Sequence, residues 1–123
     1  MIDWEKYKYF SRDEFDSPDL EGSGNSMNPD FLDMLTKARE IANIPFKINS
    51  GYRTEEHNKK VGGKPRSAHT GGFAADISCT DSVSRHKILN ALIDAGFNRI
   101  GVAKTFIHCD NSPSLAQNVI WVY

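Results

Sequence analysis

Ser67-Ala68-His69-Thr70-Gly71-Gly72-Phe73-Ala74-Ala75-Asp76 is the stretch on which the reading of this chain turns. Residues 73–78 are small and apolar enough for a buried strand, and what precedes them is a loop entering that strand. His69 therefore sits on the loop and Asp76 near the strand's end. Gly71 and Gly72 lie between them, where the backbone must turn tightly and a Cβ would clash. A second imidazole, His108, stands beside Asp110 in a later apolar run that can form a neighbouring strand. Two imidazole nitrogens and one carboxylate oxygen are a ligand set of a catalytic zinc, which keeps a fourth position open for water.

The surrounding sequence supplies a scaffold. Asn28-Pro29 reads as an N-cap followed by proline in the first turn, and Phe31, Leu32, Leu35, Ala38 and Ile41 recur at helical spacing. A helix over residues 29–42 is expected, stopped by Pro45. Phe46 and Ile48, alternating with Lys47 and Asn49, suggest a strand running into Ser50-Gly51-Tyr52-Arg53, after which Thr54 caps a short helix through Lys59. Asp81 or Ser82 caps a second long helix with Ile88, Leu89, Leu92 and Ile93 as its buried face and Gly96 as its stop. Three apolar runs then follow at hairpin-like spacing, over residues 99–103, 105–109 and 119–123. Residues 1–27 read as an irregular N-terminal arm anchored by Trp4, Tyr7, Tyr9, Phe10 and Phe15, with a capping box at Ser11-Arg12-Asp13-Glu14. The expected fold is α+β: a small single domain over residues 1–123, with a central, mainly antiparallel sheet flanked by two longer helices.

Composition narrows the function classes. A chain of 123 residues has room for one domain that buries roughly two-thirds of its unfolded surface. Apolar residues are 39% and charged residues 25%, ordinary values for a globular domain. A formal charge of -1 gives no footprint for nucleic acid or an anionic membrane, and no apolar run approaches the ~18 to 20 residues of a span. The start Met1-Ile2-Asp3-Trp4-Glu5-Lys6 lacks signal-peptide character, so a monomer that is cytoplasmic as synthesised is expected. Cys79 and Cys109 are too few for a disulfide framework and read as reduced core thiols. Their odd offsets from Asp76 and His108 turn them to the opposite sheet face.

A zinc on this ligand set lowers the pKa of its water to about 7 and polarises a carbonyl, which is what amide hydrolysis needs. Magnesium and calcium prefer oxygen-only shells. His57 and His86 lie in strongly polar runs and read as surface residues.

These motifs resemble the zinc D-Ala-D-Ala peptidases of the M15 type, whose signature is Ser-x-His, a small-residue stretch, then Asp. Ser67, His69, Gly72, Ala74 and Asp76 match it position by position. Ser50-Gly51-Tyr52-Arg53-Thr54 looks like the family's Ser-Gly-Tyr-Arg-Ser element, and Phe106-Ile107-His108-Cys109-Asp110 resembles its small-subfamily ending. The resemblance covers roughly residues 28–123. It implies zinc on His69, Asp76 and His108, with Arg53 at the site holding a carbonyl oxygen or a terminal carboxylate. Ser67 would hydrogen-bond substrate or shape the loop. The implied partner is a peptidoglycan stem peptide, cleaved by a D,D-carboxypeptidase or endopeptidase. The short build suits a phage lysin or virion-associated enzyme acting on the wall after release; a cytosolic bacterial dipeptidase is the other setting.

The chain departs from the family at the general base. Many relatives place Glu or Asp three residues before the last ligand, or His two before it; here those positions are Thr105 and Phe106. Asp110, on the same strand face as His108, is the nearest carboxylate with a claim to the base role, against orienting His108 or lying at the surface. A rival reading makes the zinc structural and the groove a peptide-binding surface, as in hedgehog domains, which resemble this family. An iron oxygenase site needs a later His, and none follows residue 108.

Overall fold

Asn28 opens the first long helix: its side-chain oxygen accepts a hydrogen bond from the Phe31 N–H at 2.9 Å, and Pro29 occupies a first-turn position that needs no donor. The computed structural model describes residues 1–123, and there this helix is α1 (Pro29–Ala42). It ends at Asn43, whose left-handed backbone (φ 54°) brings its N–H to the Arg39 carbonyl. The stop therefore precedes Pro45. β1 (Ile48–Ser50), α2 (Glu55–Lys60), β2 (Ala74–Ser78), α3 (Ser82–Asp94), β3 (Arg99–Val102), β4 (Phe106–Asp110) and β5 (Val119–Val122) follow. Thr54 and Asp81 cap α2 and α3 by accepting from the N–H groups of His57 and Ser84.

The five strands form one sheet in the order β1-β2-β4-β3-β5, antiparallel except where β5 runs parallel to β3. The fold is thus the expected α+β domain with a mainly antiparallel sheet. β5 departs from the hairpin spacing. Both edges of β4 are already occupied by β2 and β3, so residues 111–118 carry the chain across to the free edge of β3.

Alternation along the strands divides the sheet into two faces. Ala75, Ile77, Ile100, Ile107 and Cys109 face Phe31, Leu32 and Leu35 of α1 and Ile88, Ala91 and Leu92 of α3 in one buried cluster. Both long helices thus back the same face. The buried stripe of α3 is narrower than its sequence suggests: Ile93 is 47% exposed and Leu89 half-buried, while Ala91 fills the interior. Cys79 and Cys109 are free and buried in this cluster, and burial pushes both thiols up, as expected of core residues.

The arm is built of three short 3₁₀ turns, Trp4–Lys6, Arg12–Phe15 and Ser23–Ser26. The capping box is present, with the Ser11 N–H donating to Glu14 at 2.7 Å. Tyr7, Phe10 and Phe15 are buried, and Trp4 stacks on Phe15. Asp16 accepts from the N–H groups of Gly22 and Gly24, which closes the loop. A Cβ at Gly51 would fall 2.7 Å from Phe15 Cα, so the arm lies directly against the segment leading to Arg53. The Tyr52 N–H donates to the Phe15 carbonyl at 2.9 Å, tying the two together.

Candidate metal centre

β2 and β4 pair so that Asp76 stands opposite His108. Both residues point away from the helices, because Ile77, Ile107 and Cys109 beside them point toward the core. His69 arrives from the loop before β2. The Phe73 N–H donates to the Ala68 carbonyl and the Gly72 N–H to the His69 carbonyl, which folds the loop back on itself. Gly72 has φ 79°, and a Cβ there would meet the Ser26 carbonyl oxygen at 2.2 Å. Only glycine fits that position.

Each imidazole is fixed at its outer end. His69 Nδ1 lies 2.7 Å from the Gly51 carbonyl oxygen, to which it donates, so the Nε2 lone pair faces inward at 3.4 Å from Asp76 Oδ1. His108 Nε2 lies 2.6 Å from Asp110 Oδ2, and its Nδ1 is 2.9 Å from Asp76 Oδ1. One ligand atom from each of His69, Asp76 and His108 lies within 4.8 Å of the others, and all three residues are buried. Burial by itself would raise Asp76, but the hydrogen bond from His108 and the nearby His69 ring hold it well below the usual carboxylate range. Burial pulls His108 down, while Asp110 and Asp76 push it up and prevail. An ionised carboxylate and two oriented imidazoles on one point form a donor set that fits zinc. The cluster is positioned to coordinate such an ion.

Arg53 is beside the centre. Its Nη2 is 3.5 Å from Asp76 Oδ2, its Nε donates to Ser50 Oγ and its Nη1 to Asn58 Oδ1. It stands at a cleft of about 240 Å³ shared with Glu14, Asp16, Asn49, Ser50 and His57. His57 is therefore half-buried at this cleft, whereas His86 is exposed on α3 beside Asn90. Ser67 Oγ accepts from the His69 N–H at 3.2 Å, and the Ser67 carbonyl accepts from Thr70 Oγ1, so its polar atoms are used in shaping the loop.

Asp110 lies behind His108. It is 1% exposed; its Oδ1 accepts from Arg99 Nε at 2.7 Å and from the Ser112 N–H at 3.2 Å, while Oδ2 faces the His108 ring. Burial opposes its ionisation, but His108 and Arg99 keep its carboxyl low. That burial disposes of the surface alternative. Thr105 is exposed, and Phe106 packs on Tyr123.

Two neighbours escaped the sequence reading. Arg99 pairs with Asp110 and lies over the Trp121 ring, and Trp121 packs on His108. Arg99 stands opposite Asp110 across the β3–β4 hairpin, a register that the sequence does not show.

A buried two-histidine, one-carboxylate centre beside an arginine, on the open face of an α+β sheet, matches the ligand set of mononuclear zinc hydrolases. The family model of Peptidase M15 matches residues 8–110, a span that includes all three ligands, and the chain belongs to that family of zinc metallopeptidases. No curated protein matches the chain. The match reaches upstream of residue 28 into the arm, in keeping with the arm's packing behind the Arg53 segment.

Proposed function

We propose that this metallopeptidase hydrolyses an amide bond in peptidoglycan stem peptides or their cross-links, as a D,D-carboxypeptidase or endopeptidase. Its setting would be that of a phage lysin or virion-associated enzyme that meets the wall after release. The observation that carries the reading is the position of Arg53, which touches a metal ligand and opens onto a polar cleft at once. No helix is long and apolar enough to cross a membrane.

His69 Nε2, an Asp76 oxygen and His108 Nδ1 would hold the zinc. When bound, zinc supplies the Lewis acidity that polarises a carbonyl and makes water a nucleophile near neutral pH. Arg53 contributes a fixed fork of donors for the carbonyl oxygen as it gains charge, or for a terminal carboxylate. Asp110 acts through His108: it fixes the ring so that Nδ1 faces inward, and Arg99 fixes Asp110. Proton transfer is a poorer fit for Asp110, because both of its oxygens are engaged and it sits across the ring from Asp76. Ser67 holds the loop that presents His69.

Mass spectrometry of peptidoglycan fragments after digestion tests the reading. Zinc-loaded parent should release stem-peptide products and His69→Ala should release none. A zinc-loaded parent that leaves the fragments intact overturns it.

A further inference from the structure

The cross-strand row that carries Asp76 and His108 continues past the metal centre. It runs through Gly101 of β3 to Trp121 of β5. A Cβ at Gly101 would come within 2.5 Å of Trp121 Nε1 and 2.6 Å of its Cε2, so the missing side chain is what lets the indole lie inward across β3. The indole reaches the metal ligand, with its ring 5.4 Å from that of His108. Tyr123 extends the strand, its N–H donating to the Val102 carbonyl at 3.2 Å, and its ring packs 5.0 Å from Phe106 and 6.5 Å from Trp121.

Phe106, His108, Trp121 and Tyr123 share the open face by alternation. The helices fill the other face, so these rings are not part of the main core. Tyr123 is 68% exposed and Trp121 half-buried. Partial burial pushes the Tyr123 phenol up, and Trp121, Asp76 and Arg53 all act on it; its hydroxyl remains a donor at neutral pH and lies within the field of the site. Arg53 approaches Asp76 from the β1 side, and the rings approach His108 from the β5 side. A peptide laid across the sheet meets a cation, then the ligands, then an aromatic shelf.

We propose that Trp121 and Tyr123 form the substrate shelf of this centre: a small apolar side chain next to the cleaved amide packs on the indole, and the Tyr123 hydroxyl donates to the peptide backbone. This rests on the peptidase reading above. Rigid rings with a polar edge suit that task, since they offer contact area at low entropic cost.

A soluble stem pentapeptide, and variants in which each alanine in turn becomes glycine, test the shelf against zinc-loaded parent, Trp121→Leu and Tyr123→Phe. One methyl in an apolar pocket is worth about tenfold in kcat/KM. The parent should lose about that much at the alanine on the shelf. Trp121→Leu should be slower on the intact peptide yet indifferent to that same glycine, and Tyr123→Phe should raise KM, both with full zinc stoichiometry. Unchanged kinetics, or a Trp121→Leu protein that discriminates alanine from glycine as the parent does, overturns the shelf and leaves the peptidase reading standing. If the parent cleaves none of these peptides yet digests peptidoglycan, cleavage lies in a cross-link; if it digests neither, the peptidase reading fails; in both cases binding decides the shelf. The Trp121 indole N–H signal, assigned by its persistence in Trp4→Phe, then shifts saturably with the intact pentapeptide if the shelf exists. A static signal removes it.

Discussion

His108 is gripped at both ring nitrogens, and the two grips make different predictions. Asp110 faces Nε2 at 2.6 Å, so Asp110→Asn should weaken zinc binding by about 10- to 100-fold, measured by competition with a chromogenic chelator. Turnover should return at saturating zinc. Undiminished zinc affinity with lost turnover would instead put Asp110 in proton transfer. Arg99→Gln should shift zinc affinity in the same direction by a smaller factor, because Asp110 keeps its bonds to His108 and Ser112. At this scale the sequence was informative where the chemistry was local. The spacing from His69 to Asp76 needs only a loop and a strand, and the inward turn of Cys109 needs only alternation. Arg99 was illegible because its meaning depends on which residue of β4 lies opposite, a register that composition does not encode.

Elements place these side chains, and single backbone positions govern the elements. Gly72 combines φ 79° with a carbonyl 2.2 Å from where a Cβ would sit. Gly72→Ala should therefore cost more than about 1 kcal/mol in urea unfolding and also lower zinc affinity, since the same loop presents His69. Asn28→Ala, which removes only the α1 cap, should cost about 1 kcal/mol while leaving zinc affinity unchanged. The contrast separates loop strain from general destabilisation. Both long helices and their caps were readable because apolar spacing and capping residues agree there. β5 was misread as a hairpin partner because pairing depends on which strand edges remain open, and β2 had already taken one edge of β4. The α3 stripe was misjudged at Ile93, because the partner surface, α1 and the sheet, is narrower than the apolar arc of the helix.

For the whole molecule, the arm is anchored by its rings as its sequence suggests, with Phe15 fully buried against the Gly51 segment. Phe15→Ala should cost about 3–5 kcal/mol in denaturant unfolding. It should also loosen the His69 ring, which donates to the Gly51 carbonyl. Tyr7, buried and donating to Asp33, has its phenol pushed up to about 12 by burial and by that bond. The unfolded phenol ionises first, near its ordinary value of 10.0, so this contribution is complete below that pH and is lost progressively up to about 12. Tyr7→Phe should flatten the alkaline limb of the stability curve, and an unaltered limb would discount the Asp33 pairing. The alternation that turns Cys109 inward carries a consequence for assembly. A slip of β4 by one residue against β2 would exchange imidazole for thiol on the open face and turn Ile107 out of the core. Thiolate is a softer donor than imidazole, so a misregistered molecule would announce itself by a changed preference among metal ions. Fidelity of strand pairing would thus be readable in the cation the site prefers.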